Sequence, residues 1–121
     1  MKILILEDDG KRVSTFIELL HKHSLTITES AYAAIDYLQE DAFDAVFLDH
    51  DLGEGNGEGR DVSQYLAGNS NNRNHAAQIV IHSWNNPAAF NMRKDLPHSH
   101  FAPFGSPGFY DICNTVRLET D

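Results

Sequence analysis

Three short apolar segments of this sequence end in side chains that can do chemistry. The polar residues that follow these segments are Glu7-Asp8-Asp9, Asp49-His50-Asp51 and His82-Ser83. Clustered carboxylates provide the oxygen ligands that Mg²⁺ takes, together with water and phosphate oxygens. Histidine exchanges a proton near neutral pH, which suits it to general acid and base catalysis. The pattern therefore indicates a site for a divalent cation and a phosphate.

The acidic residues give the metal prediction. We expect Asp8, Asp9 and Asp49 to hold Mg²⁺ or Mn²⁺, with Glu7 and Asp51 as weaker candidates. Carboxylates that are brought together repel one another, and a bound cation compensates for that repulsion. The alternative is a group of solvated loop carboxylates, and the residues alone leave both interpretations open.

Other side chains near these acids could bind the rest of a ligand. Arg12 can contact a phosphate, or it can form a surface ion pair with a nearby acid. Ser83 can donate to a phosphoryl oxygen or cap the turn after its strand, and Asn85 can orient a ligand or cap a helix. Trp84 can stack on a base, cover the pocket or pack as an ordinary aromatic residue. We predict phosphate binding for Arg12, Ser83 and Asn85.

Aliphatic runs predict the strands that position these residues. Apart from Lys2, residues 2–6, 45–48 and 79–81 form uninterrupted apolar runs, which are typical of parallel strands covered by helices on both faces. Weaker strand signals lie at residues 25–28 and 100–104. The chemically capable segments thus follow the strongest predicted strands.

Amphipathic spacing and capping residues predict helices between the strands. Apolar residues spaced as on one helical face begin at Val13, and residues 61–66 form a shorter helix. The predicted starts of the other helices are Ser30, Asn86-Pro87 and Ser106-Pro107. Because strands and helices alternate without a repeat or a linker, we predict one α/β domain over residues 1–121, with a parallel sheet. Such sheets bind ligands at the carboxyl ends of their strands, so the polar segments should converge on one crevice.

Composition narrows the classes of partner and compartment. Nine basic and 18 acidic residues give a net charge of −9, which argues against a broad nucleic-acid surface or a membrane surface. Cys113 is the only cysteine, so no internal disulfide forms and a reducing compartment is expected. The apolar run near the N-terminus is too short for a signal peptide or a membrane span, and we therefore expect a cytoplasmic protein.

The order of these landmarks resembles the response-regulator receiver family over nearly the whole chain. Asp8 and Asp9 match the paired acids that hold a divalent metal in that family, Asp49 matches the phosphoacceptor, and Ser83 matches the hydroxyl residue. The resemblance implies a flavodoxin-like (CheY-like) three-layer sandwich. Its parallel sheet has five strands in the order 2-1-3-4-5, with helices on both faces.

The sequence also departs from the usual receiver. Ala102 replaces the family's lysine, and Trp84 replaces a small side chain. These departures resemble a narrower group, the cyclic-phosphate processing receiver domains, whose matching segments here are Leu6-Glu7-Asp8-Asp9 with Arg12, Leu48-Asp49-His50-Asp51-Leu52-Gly53, and His82-Ser83 followed by Asn85 and Pro87.

That narrower resemblance implies a phosphoesterase. His50 and His82 would act as general acid and base on a small phosphorylated ligand, such as a cyclic nucleotide or an RNA end. Side chains alternate along a strand, so one of the two histidines can instead point away. The first alternative is a receiver phosphorylated on Asp49 in a phosphorelay, with a histidine kinase or another protein as partner. The second is a degenerate receiver that acts only through protein interactions.

Overall fold

Strands and helices alternate along the chain, five of each within residues 1–68 and 72–118, which the computed structural model describes. The strands are β1 (Lys2–Leu6), β2 (Ser24–Thr28), β3 (Ala45–Leu48), β4 (Gln78–Ile81) and β5 (His100–Phe101). The helices are α1 (Gly10–Leu20), α2 (Ala31–Glu40), α3 (Gly59–Gly68), α4 (Asn86–Asp95) and α5 (Pro107–Leu118). Within the same ranges, none of the helices combines the length and apolar character that crossing a bilayer requires.

The strands form a parallel sheet in the order β2-β1-β3-β4-β5, which confirms the predicted flavodoxin-like fold. The register aligns the last residues of the three central strands. Leu6 pairs with Leu48, and Leu48 pairs with Ile81. The residues that come next along the chain, Glu7, Asp49 and His82, therefore start at the same level of the sheet.

The core lies on both faces of the sheet and follows the alternation of side chains along each strand. Leu4 and Leu6 pack on the face covered by α2, α3 and α4, whereas Ile3 and Ile5 pack on the face covered by α1 and α5. All four of these side chains are fully buried. Burial on both faces explains why the central strands are continuous apolar runs, and it holds their carboxyl ends rigidly.

Some element boundaries differ from the predictions. Asn85, rather than Asn86, caps α4, since its Oδ1 atom accepts a hydrogen bond from the Ala88 backbone N–H at 3.2 Å. Regular pairing of β5 ends at Phe101 rather than at residue 104. Helix α3 is longer than the predicted 61–66 and begins at Gly59.

Gly59 fixes the start of α3 against the loop that carries Asp49 and His50. Its backbone N–H donates to the His50 carbonyl at 3.0 Å. A Cβ atom at this position would lie 1.8 Å from the Asp49 carbonyl oxygen, so only glycine allows the helix to approach so closely.

Replacing this glycine should destabilise the fold at the edge that holds the polar residues. We expect Gly59→Ala to lower the free energy of unfolding by about 3 kcal/mol, because the added methyl group overlaps backbone that cannot move away. Gly68→Ala, at the other end of the same helix, has open space around its new Cβ and should be neutral or slightly stabilising. Urea unfolding of both variants measures the difference, and equal stabilities would show that the close approach at Gly59 is unimportant.

Candidate functional site

The carboxyl ends of the central strands open into a polar cleft of ≈ 390 Å³. Its lining residues come from the segments that follow β1, β3 and β4: Asp8, Asp9, Arg12, Asp49, Asp51, Ser83, Trp84 and Asn85. All three residues predicted to hold metal and all three predicted to bind phosphate are in this set. The structure thus brings the six together, and their roles remain predictions.

Beneath the cleft lies a cluster of three buried ionisable residues, Glu7, Asp49 and His82. One ligand atom from each lies within 4.8 Å of the others. The His82 Nε2 atom lies 3.0 Å from Glu7 Oε1, which makes it the donor to the carboxylate. Asp49 follows β3, the strand between β1 and β4, and its side chain also reaches the cleft.

Strand alternation explains why these three side chains meet. Glu7, Asp49 and His82 each lie two residues beyond Ile5, Phe47 and Val80, which all pack on the face covered by α1 and α5. Side chains two residues apart point to the same face, so the cluster extends this apolar layer. The His82 ring accordingly packs edge-on against Phe16, with ring centroids 5.2 Å apart.

Burial perturbs the protonation of the whole cluster. Loss of water contact raises the pKa of Asp49 to about 6, and the nearby His82 opposes that rise while Glu7 adds to it. The same loss of solvation raises the pKa of Glu7 above its ordinary value, against the hydrogen bonds that it accepts. Full burial lowers the pKa of His82 to about 4, so its ring is neutral at pH 7. The two carboxyl groups therefore compete for charge in a poorly solvated place.

Glu7 also organises the turn that carries Asp8 and Asp9. Its Oε2 atom accepts hydrogen bonds from the backbone N–H groups of Asp8 and Asp9 at 3.1 and 3.2 Å. The Arg12 Nη1 atom lies 3.8 Å from Glu7 Oε1, so the arginine pairs with a buried acid as well as lining the cleft. The sequence prediction had ranked Glu7 below Asp8. Its position two residues after buried Ile5 was the signal that could have placed it in the cluster.

The cleft acids differ in how far they are already engaged. Asp9 caps α1, because its Oδ1 atom accepts from the backbone N–H groups of Lys11 and Arg12 at 2.9 and 3.1 Å. These contacts, that with Arg12 above all, lower the pKa of Asp9 below its usual value. Asp8 is exposed on the same cleft. Asp8 is therefore the acid after β1 that is better placed to take a new ligand.

Ser83 and Asn85 form a tight turn beside the acids. Ser83 Oγ accepts a hydrogen bond from the Asn85 backbone N–H at 3.0 Å. Asn85 caps α4 through Oδ1, and its Nδ2 group donates to Asp51 Oδ1 at 3.3 Å. Asn85 thus caps the helix, as one of the two interpretations predicts, and also contacts a cleft acid, while its role in orienting a ligand stays a prediction.

The two histidines point to different parts of the molecule. His50 Nδ1 lies 3.0 Å from Asp51 Oδ1, and its Nε2 lies 3.5 Å from Glu58 Oε2. His82 is fully buried on the face covered by α1 and α5. Neither ring is among the described residues that line the cleft, and each one touches an acid instead. Alternation accounts for this separation, since His50 and His82 follow their aligned strands by two residues and by one residue, respectively.

The donor set of this site fits a divalent cation. Glu7 and Asp49 are buried side by side, and Asp8 adds an exposed carboxylate at the mouth. The repulsion between these carboxylates has to be offset by a positive charge or by a shared proton. Arg12 Nη1 lies 3.8 Å from Glu7 Oε1 and offsets part of it. Asp8 and Asp49 are the oxygen ligands that a cation in the cleft would meet.

Known proteins resemble this chain in sequence family and in fold. The sequence model of the family described as cyclic-phosphate processing receiver domain matches residues 3–97. A sequence comparison with curated proteins finds no match. Among solved structures, the phosphorylated cyanobacterial phytochrome response regulator RcpA is similar with a TM-score of 0.75 and 19% identity, over 99% of this chain and 95% of that one.

Two further receivers have the same fold. The Mn²⁺-bound form of response regulator Rcp1 has a TM-score of 0.70 and 20% identity, over 97% of this chain and 89% of its own. The CheY-like receiver domain protein from Methanospirillum hungatei JF-1 has a TM-score of 0.73 and 12% identity, over 98% and 91%. At these identities the likeness establishes the fold.

The pH dependence of stability tests the burial of Asp49. Its pKa is raised from 3.8 to about 6, so the protonated form contributes stability that is present below pH 3.8 and lost as pH rises through about 6. The pKa of His82 is lowered from 6.5 to about 4, so its contribution is present above pH 6.5 and lost as pH falls through about 4. Asp49→Asn removes the first contribution. The free energy of unfolding of this variant, minus that of the parent, should increase by up to about 3 kcal/mol between pH 4 and pH 6.

Chemical unfolding at several pH values gives this difference directly. Asp36→Asn, on the exposed surface of α2, is the control and should change stability little at every pH. A difference for Asp49→Asn that stays constant across the range would contradict the buried environment of Asp49.

Proposed function

The chain belongs to the cyclic-phosphate processing receiver domain family, and on this premise we propose that it binds a small cyclic phosphodiester and hydrolyses it with the help of a divalent cation. The observation that supports this most is the composition of the cleft. The cleft contains side chains that could donate hydrogen bonds to a phosphate, namely Arg12, Ser83 and Asn85. It also contains carboxylates that could bind a cation, namely Asp8 and Asp49. The acids of the cleft would repel a phosphate on their own, so phosphate binding there requires a cation bound to those acids.

The acids have a defined part in this proposal. Asp8 and Asp49 would hold the cation, and Asp9 would support it from the cap of α1. A bound divalent cation would neutralise phosphate charge and would polarise a phosphoryl oxygen as a Lewis acid. The guanidinium of Arg12 and the hydroxyl of Ser83 would then bind non-bridging oxygens, as charge-assisted donors do elsewhere. Arg12 in this role takes the place of the lysine that Ala102 replaces.

Hydrolysis needs two proton transfers. A base removes a proton from the attacking water as its oxygen bonds to phosphorus, and an acid protonates the leaving ester oxygen as its bond to phosphorus breaks. We assign one transfer to His50, whose Nδ1 atom lies 3.0 Å from Oδ1 of cleft-lining Asp51, so that the proton would pass between the cleft and His50 through the Asp51 carboxylate. The other transfer would be made by solvent water in the cleft. His82 acts as a positioning residue through Glu7, since its Nε2 atom donates to that carboxylate beneath the cleft.

Steady-state turnover tests the histidine roles. With Mg²⁺ and a 2′,3′-cyclic nucleoside monophosphate, His50→Ala should lower kcat by about 10²- to 10⁴-fold, the usual contribution of one acid or base. His82→Gln, which keeps a donor near Glu7, should lower kcat less and should also raise the Mg²⁺ concentration needed for half activity. His98→Ala, on an exposed loop, is the control. Full activity in a His50→Ala/His82→Gln double variant, confirmed folded by circular dichroism, would refute the assignment.

A signalling role for Asp49 is the second candidate. The observation in its favour is that Asp49 directly follows β3 and lines the same cleft as Ser83. In this role Asp49 would accept a phosphoryl group from a histidine kinase or another donor. The indole of Trp84 in the cleft and the absence of the family's lysine make this role the less favoured one.

Phosphorylation can be measured independently of hydrolysis. If the second candidate holds, incubation with acetyl phosphate and Mg²⁺ should add one phosphoryl group, detected by intact mass. The acyl phosphate should be lost with hydroxylamine and should not form in Asp49→Asn. On the favoured proposal no stable adduct forms, and a stoichiometric adduct in the parent protein would reverse the preference.

A further inference from the structure

Trp84 is a large apolar side chain held in an exposed position at the cleft. It is the only tryptophan of the chain, and 57% of its surface is accessible. An indole packed in the core would be mostly buried, whereas this one lines the cleft beside Arg12 and Ser83. The position of Trp84 in the cleft, rather than its exposure, is what makes a role in ligand binding worth testing, because single exposed aromatic side chains are common on protein surfaces.

The indole is fixed in orientation. Its Nε1–H group donates to the Phe104 backbone carbonyl at 2.8 Å. The residues on either side are also anchored, because Ser83 is buried and Asn85 caps α4. Because Trp84 lines the cleft with this hydrogen bond in place, a ligand that packs against the indole orders less of the protein than it would with a free side chain.

The Arg12 side chain supplies a positive charge in the same cleft as Trp84. The Arg12 guanidinium lies over the Phe104 ring, 5.2 Å from its centroid, and Arg12 also lines the cleft. The cleft thus contains both a positive charge, from Arg12, and a flat apolar ring, from Trp84. Asp8 and Asp49 complete that cleft with the opposite charge.

We propose that Trp84 is a stacking platform for the nucleobase of a mononucleotide whose phosphate lies between Arg12 and the cleft acids. The inference rests on the proposed phosphoesterase function and narrows its substrate from any cyclic phosphodiester to a nucleoside phosphate. Every base has a flat π face, so the platform would accept purines and pyrimidines alike. The cleft volume of ≈ 390 Å³ is within the range of small-molecule sites.

The ligand is a mononucleotide rather than a polynucleotide because of charge. The chain has a net charge of −9, and a long phosphate backbone would meet repulsion outside the cleft. A single phosphate needs only the local donors that the cleft provides. An oligonucleotide that bound more tightly than its terminal mononucleotide would overturn this choice.

Binding of stable ligands tests the platform without depending on turnover. Adenosine 3′-monophosphate and inorganic phosphate, each titrated with Mg²⁺ present, differ by the presence of the nucleoside. We expect the nucleotide to bind the parent protein more tightly and to quench the fluorescence of its single tryptophan, with weaker quenching by phosphate.

Calorimetry on matched variants assigns the effect to the indole. Trp84→Ala should weaken nucleotide binding by roughly 5- to 100-fold, the range found for base stacking, and leave the affinity for inorganic phosphate within about twofold. Phe90→Ala is the control, because Phe90 is equally exposed at 59% but lines a separate hollow on α4 and β5. Trp84→Phe should retain most of the nucleotide affinity.

The outcomes separate the two proposals. Equal affinity for nucleotide and phosphate, or equal loss in Trp84→Ala for both, overturns the stacking platform and leaves the phosphate site standing. If neither ligand binds in the presence of Mg²⁺, the proposed function fails, and the platform fails with it.

Discussion

The hydrogen bond between Glu7 and His82 is the interaction on which the candidate site depends. It joins the ends of β1 and β4 across β3, at a distance of 3.0 Å and with both side chains buried. Asp49 lies beside this pair, and one ligand atom from each of the three residues lies within 4.8 Å of the others. Three ionisable groups at one buried position are costly unless each has a partner, so this pair sets the protonation of its neighbours and the geometry of the turns above.

The geometry spreads from Glu7 in steps. The Oε2 atom of Glu7 accepts hydrogen bonds from the backbone N–H groups of Asp8 and Asp9, and the Asp9 side chain caps α1. The other oxygen of Glu7 meets His82 and, at 3.8 Å, Arg12. The metal ligands and the phosphate donor of the proposal are therefore tied to one carboxylate. Asp49 is buried and poorly solvated at the floor of the cleft, so binding of a cation or a proton there stabilises its carboxyl group.

Much of this arrangement is readable from sequence. The aliphatic runs predict the buried strands. The polar residues that follow those runs predict the cleft, because the carboxyl ends of parallel strands lie at one edge of the sheet. What the runs do not give is the register between strands. Leu48 pairs with Ile81, so His82 is one residue past its aligned strand end and His50 is two. That one-residue offset sends the two rings to different places, and it is set by tertiary packing.

Local competition explains the other differences. Asn85 and Asn86 are equally good capping residues by type, so the sequence does not select between them, and in the structure it is Asn85 that accepts from the Ala88 N–H. Glu7 looked like one acid among several, yet alternation from Ile5 buries it. Gly59 is the last of four glycines that follow β3 (Gly53, Gly55, Gly57 and Gly59), a pattern typical of a flexible turn, whereas its close approach to the Asp49 carbonyl makes it a packing residue.

A crystal structure of the protein soaked with Mn²⁺ and a nucleoside monophosphate would show whether the cleft holds a metal and a phosphate together. We predict anomalous density for the metal between Asp8 and Asp49, and a phosphate within hydrogen-bond distance of Arg12 and Ser83. Metal on the exposed acids Glu54 and Glu58, between β3 and α3, with the phosphate absent from the cleft, would contradict this prediction.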